Sequence, residues 1–227
     1  MKNLFLSITT ISLIFASCKK NNESTPLQYG CDFINFKYYN GTQDYLGEMQ
    51  DNYVLLGIDT IYSDSQIRSF IATVKEFDQN YDYTIHVEGR SKFKEIPIRL
   101  KTSQTCEQIT KLIADLEQNA IVSYAHYAMK TENCENAIWE QIGDLCVNSY
   151  GSCFFVKVID ENDLTDLEKI VAETKTELIR QDTYMPKWFE LRATKSSKGD
   201  ALKMANYFHE TGLFHCAEPG ISKYSVE

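Results

Sequence analysis

Asn206-Tyr-Phe-His-Glu-Thr-Gly-Leu-Phe-His-Cys-Ala-Glu-Pro-Gly-Ile-Ser222 ends the stretch, beginning at Asp182, on which the reading of the whole chain turns. Met204, Ala205 and Phe208 fall on one stripe, which predicts a short amphipathic helix over Ala201–His209. Gly212 stops it, and a strand and a Pro219-Gly220 turn follow. The stretch therefore reads as a corner from a helix into an edge strand.

Working outward, the same plan occurs twice. Asn52–Ile58 is a β-rich run bounded by Asp59. Ser63 and Ser65 offer caps for a helix carrying Ile67, Phe70, Ile71 and Val74. Strand-like runs over Tyr83–Glu88 and Glu95–Leu100 come next, the second alternating apolar and polar. Thr105 then caps a helix with Ile109, Leu112, Ile113 and Leu116, and Ile121–Tyr127 closes the unit as a strand. The order is β-α-β-β-α-β. It returns downstream: Gln141–Leu145 echoes Tyr45–Met49, and Cys153–Asp160 echoes Tyr53–Asp59. Leu167, Ile170 and Val171 stand in for Ile67, Phe70 and Ile71. Ile179–Gln181, Lys187–Arg192, the Ala201 helix and Leu213–Glu218 complete the second copy. The fold class expected is α+β, with two tandem ferredoxin-like units and antiparallel sheets whose helices cover one face each. The helix-free faces must then pair with each other, meet a partner or stay polar.

The 227 residues divide into a leader over 1–17, a flexible tether over 18–28, and repeats over 29–133 and 134–227. Lys2 and the apolar run Leu4–Phe15 form a targeting segment too short to be read as a membrane span. Phe15-Ala16-Ser17-Cys18 resembles a bacterial lipobox, which implies cleavage before Cys18, lipidation of its thiol and anchorage in a Gram-negative cell envelope. A net charge of -9 speaks against nucleic acid as a partner, since phosphate binding needs clustered Lys and Arg.

Six further cysteines, Cys31, Cys106, Cys134, Cys146, Cys153 and Cys216, admit fifteen pairings in an exported chain. Cys146 and Cys153 flank what reads as a hairpin loop and are the pair to bridge if any is, with buried free thiols as the alternative. No C-x-x-C or zinc-type His/Cys spacing occurs, so no metal is expected, and no glycine-rich phosphate loop or G-x-S-x-G elbow marks a cofactor or a serine hydrolase. His215 and Cys216 are adjacent in a strand and point to opposite faces, which defeats a Cys-His catalytic pair. Asp160, Glu161, Asp163 and Asp166 sit where a helix start favours carboxylates. Tyr38-Tyr39, Tyr81/Tyr83 and Trp188-Phe189 offer a glycan-stacking surface, though in an alternating strand half of each pair belongs to the core. The chain reads as a non-enzyme.

From Cys153-Phe-Phe-Val-Lys-Val through Met185-Pro-Lys-Trp-Phe-Glu-Leu and Thr194-Lys-Ser-Ser-Lys-Gly199 to Ala217-Glu218-Pro219, the sequence resembles the propeptides of subtilisin-like serine proteases of Bacteroides-type bacteria. The resemblance covers about 75 residues and implies a ferredoxin-like inhibitor and folding chaperone whose sheet packs on a protease. It makes Glu218 an acid that caps protease helices, and Pro219, Gly220, Ile221, Ser222, Lys223 and Tyr224 an extended tail lying along the protease cleft. Gly220 stands where that family often has Asp or Asn, and the first repeat has His126-Tyr127 in place of Glu-Pro. The function expected is a membrane-anchored protein that binds a subtilisin-like protease; the alternative is a surface lipoprotein using the same fold to bind another protein or a glycan.

Overall fold

The computed structural model describes residues 30–87, 92–131, 134, 137 and 145–226. The leader, the lipobox with Cys18, the tether and most of the Gln141–Leu145 echo lie outside the described residues.

A small hairpin, β1 (Phe36–Tyr39) and β2 (Thr42–Tyr45), precedes two split β-α-β units. The first comprises β3 (Met49–Asp59), α1 (Asp64–Thr73), β4 (His86–Val87), β5 (Phe93–Arg99), α2 (Cys106–Glu117) and β6 (Val122–Thr131). The second comprises β7 (Leu145–Lys157), α3 (Thr165–Thr174), β8 (Glu177–Gln181), β9 (Trp188–Arg192), α4 (Ala201–Glu210) and β10 (Cys216–Val226). The strand orders β4-β5-β3-β6 and β8-β9-β7-β10 are the same order in each unit, all antiparallel. This is the tandem ferredoxin-like arrangement that the repeated element order predicts.

Local chemistry sets the helices. Ser63 and Thr105 each form a capping box with Gln66 and Gln108, so two orphan donors are satisfied at each start. Asp163 Oδ1 accepts the Thr165 N–H at 3.1 Å and Asp200 Oδ1 that of Lys203 at 2.9 Å, as carboxylates at helix starts should. The predicted stripe of α4 is buried, with Phe208 stacked on Phe214 and edge-on to Phe154. Burying one such ring contributes roughly 1.5–3 kcal/mol.

The two sheets are one. β10 pairs with β7 from Leu145 to Lys157, whereas the other edge of β7 is shared: β9 takes Cys153–Lys157 and β6 takes Cys146–Asn148. The near ends of β7 and β10 thus form a ribbon longer than the second unit needs. Its Leu145, Val147, Tyr224 and Val226 pack into the first unit's core, over Tyr53, Leu55 and Tyr124 on that unit's helix-free face. The first sheet's bare face is therefore covered by the second unit's ribbon.

Three expectations are corrected. Pro219-Gly220 is not a turn: the strand runs through it, with a register shift between Pro219 and Ile221. Proline has no N–H to give the ladder, and a bulge is where that loss is tolerated. The segment Gly220–Val226 is consequently no free tail; Tyr224 and Val226 are fully buried. Cys146 and Cys153 do not bridge, because both lie in β7, seven residues apart along an extended strand. Cys146 instead bonds Cys134, Cys31 bonds Cys106, and Cys153 and Cys216 are free thiols.

Candidate functional site

The helix-free face is closed in the first unit and half open in the second. Where it is closed, a polar seam joins the units. Tyr124 OH donates to Glu95 Oε1 at 2.5 Å, and Tyr224 OH donates to Glu95 Oε2. Gly57 and Gly151 make room: a Cβ on Gly57 would sit 2.0 Å from the Tyr124 ring, and one on Gly151 2.8 Å from Glu95 Oε1. His126 stacks between Tyr124 and Tyr150 and donates from Nδ1 to the Tyr150 carbonyl at 2.7 Å. Burial and the Glu95 charge push the Tyr124 hydroxyl well above its usual range, so it remains the donor.

His86 faces Glu95 across β4 and β5 and lies 5.2 Å from the Tyr224 ring. Desolvation holds its imidazole down to about 4. The unfolded chain takes up that proton near pH 6.5 and the folded one only near 4, so stability is full above the first value and falls as pH drops through the window. Urea unfolding should show a loss of about 1–2 kcal/mol between pH 7 and 4 from this group, a part of the full shift because solvent screens an imidazole that is not wholly enclosed. A His86→Phe variant should flatten that part of the profile; an unchanged slope would disprove the assignment.

At the open end, one row of side chains crosses the sheet. Glu218 on β10 is opposite Phe155 on β7, Phe155 opposite Glu190 on β9, and Glu190 opposite Arg180 on β8. Arg180 Nε donates to Glu190 Oε2 at 2.6 Å, and the two charges satisfy each other. In the next row Lys157 covers the Trp188 ring at 5.8 Å. Phe155, Arg180, Asp182, Met185, Trp188, Glu190, Glu218 and Pro219 line a cleft of about 320 Å³, with Lys157 outside it. Phe155 is 37% exposed and Met185 53%, while Glu218, held in the ladder by its backbone, has no side-chain hydrogen bond or ion pair among the described residues. Asp182 accepts the N–H groups of Tyr184 and Met185 at 2.8 Å each, and these bonds keep its carboxyl below the usual range and ionised.

No protein-family model and no curated protein matches the sequence. Among solved structures, the chain is similar to the small subunit of acetolactate synthase from Thermotoga maritima, at 10% identity over 78% of this chain and 97% of that one, with a TM-score of 0.29. A Sxl-lethal protein/RNA complex matches at 10% identity over 78% and 99%, TM-score 0.29. The Sex-lethal RNA recognition domains 1 and 2 from Drosophila melanogaster match at 8% identity over 77% and 98%, TM-score 0.23. Scores this low carry no argument; the fold assignment rests on the strand order itself.

Of the residues singled out in the sequence, Glu218 and Pro219 border the cleft. Gly220, Ile221, Ser222 and Lys223 lie in β10 outside it, and Tyr224 belongs to the seam. The aromatic pair resolves as alternation requires, with Phe189 in the core and Trp188 on the face. Phe155, Arg180, Asp182, Met185 and Glu190 are cleft residues to which motif reasoning gave no role. The signal for Phe155 was its place in Cys153-Phe-Phe-Val-Lys-Val, where an outward Phe alternates with the buried Phe154 and Val156. Burial, with Glu190 second, pushes the Cys153 thiol up, and burial does the same to Cys216, so neither is poised as a thiolate.

Proposed function

We propose that the protein is a non-catalytic binding module of the propeptide type, held in a Gram-negative cell envelope through Cys18. It docks the open end of its second sheet on a subtilisin-like serine protease and inhibits or chaperones it. The reading is carried by one observation: an exposed Phe155 beside an uncommitted Glu218, on the helix-free face where the resemblance sets the protease-facing acid. Contact through the sheet face replaces contact through the tail, since Gly220–Val226 is committed to β10.

Titration of the mature protein against a subtilisin-like protease of the same cell envelope should give stoichiometric binding with loss of peptidase activity. Phe155→Ala together with Trp188→Ala should weaken it at least about ten-fold, as truncation of interface aromatics does. Tyr224→Phe should leave the affinity unchanged. Binding without inhibition would favour the reading as a module for another protein, and no binding to any such protease would refute the proposal.

A further inference from the structure

The cleft beside Phe155 has a chemistry more specific than an apolar patch. Its floor and walls are Phe155, Met185, Trp188 and Pro219, and it holds four charged groups. Arg180 and Glu190 neutralise each other. Asp182 is ionised but turned to its own backbone, with Oδ1 taken by two N–H groups. Glu218 is left, a half-buried carboxylate with no partner among the described residues, opposite the open ring of Phe155 in register. The lining residues carry two negative charges in excess of one neutral pair, with Lys157 held over the Trp188 ring at the border, on a chain that is itself acidic.

An anionic or neutral occupant would leave Glu218 uncompensated on docking, and a desolvated unpaired charge is costly. A helix N-terminus offers only about half a unit charge and no apolar stem to fill the cleft. A lysine stem fits, but its ammonium is a strongly hydrated point charge. A guanidinium is planar, weakly hydrated, stacks on an aromatic face and forks onto a carboxylate. Trp188 already carries Lys157, which leaves Phe155 as the ring open to stacking.

We propose that this cleft receives an arginine side chain of the partner protein, its guanidinium stacked on Phe155 and paired with Glu218, its methylenes lying against Met185 and Pro219. The inference rests on the docking surface proposed above and names the group that surface reads.

The test uses the mature protein and blocked tripeptides Gly-Arg-Gly, Gly-Lys-Gly and Gly-citrulline-Gly, with binding followed by amide and indole NMR shifts. Gly-Arg-Gly should give saturable shifts confined to Phe155, Trp188, Glu190 and Glu218. Glu218→Gln should weaken that binding about ten-fold, the cost of losing a charge-assisted pair. Citrulline, the same shape without the charge, should bind at least about ten-fold more weakly than arginine, and lysine should fall between them. Citrulline equal to arginine, shifts scattered over the surface, or no shifts at all would overturn the proposal. A protease that fails to bind while the arginine peptide still saturates the cleft would refute the choice of partner and leave the arginine site standing.

Discussion

Deleting Gly220–Glu227 is expected to unfold the first unit, although every residue removed belongs to the second. The deletion takes away the half of β10 that pairs with Leu145–Tyr150. It also removes Tyr224 and Val226, both wholly buried in the first unit's core cluster. Truncating a buried aromatic costs about 3–5 kcal/mol, and an aliphatic neighbour adds to it. Since whole domains are stable by about 5–15 kcal/mol, the sum is a large share of the total. The remaining chain would present Tyr53, Leu55 and Tyr124 to water and deprive Glu95 of the Tyr224 hydroxyl, leaving that of Tyr124. Near-ultraviolet circular dichroism should collapse, and a hydrophobic dye should bind. Tyr224→Phe, which loses only the hydroxyl bond to Glu95, should cost about 1–3 kcal/mol and stay folded. A truncated protein melting within a few degrees of the full chain would show that the ribbon does not hold the first unit together.

The second large effect belongs to the Cys31–Cys106 bridge, which closes a loop across 75 positions of sequence. The chain-entropy estimate for such a loop is about 4 kcal/mol. The Cys134–Cys146 bridge, with a separation of 12, should give about 3 kcal/mol by the same model. More than loop closure is at stake at Cys31. Asp32 N–H donates to Thr110 Oγ1 on α2 at 3.3 Å, and Lys203 on α4 pairs with Asp32. Phe33 packs on Tyr127 and touches both cores, and Asn206 Nδ2 donates to the Phe36 carbonyl at 2.9 Å. The entry segment ahead of β1 is thus a strap over both units, with the disulfide as its fastening. Urea midpoints of Cys31→Ala/Cys106→Ala and Cys134→Ala/Cys146→Ala variants should fall in that order of size. Equal midpoints for the first pair and the parent would mean the strap adds nothing.

What was legible in the sequence was local. Ser63 and Thr105 announced α1 and α2 as cap residues just ahead of an apolar helical period, and the structure adds Gln66 and Gln108 as the other halves of two capping boxes. The stripe of Met204, Ala205 and Phe208 gave α4, and the twofold order of elements gave the tandem. What escaped depends on contacts between distant residues. Val147–Ser152 reads as a hairpin loop, rich in Asn, Ser and Gly, yet it lies in β7. Two of its polar side chains find partners far away, Asn148 Nδ2 on the Leu46 carbonyl and Ser149 Oγ on that of Tyr127. Pro219-Gly220 carries the composition of a turn, and only pairing to β7 makes it a bulge. Tyr83–Glu88 promised a strand, but among its described residues pairing is confined to His86 and Val87. Of the candidate site, Glu218 was found from its motif; the row joining it to Phe155, Glu190 and Arg180 is a property of register, which no single strand records.

The covering of the first sheet by β10 bears on the order in which the protein matures. A polypeptide leaves the ribosome or a secretion channel amino end first, and domains usually finish folding as they emerge. Here the strands of the first unit are all available once Thr131 has appeared, yet their helix-free side stays uncovered until Val226 arrives. Through that interval a newborn chain exposes a tyrosine-rich apolar surface, and synthesis must either be fast or keep the nascent protein in the care of a holdase.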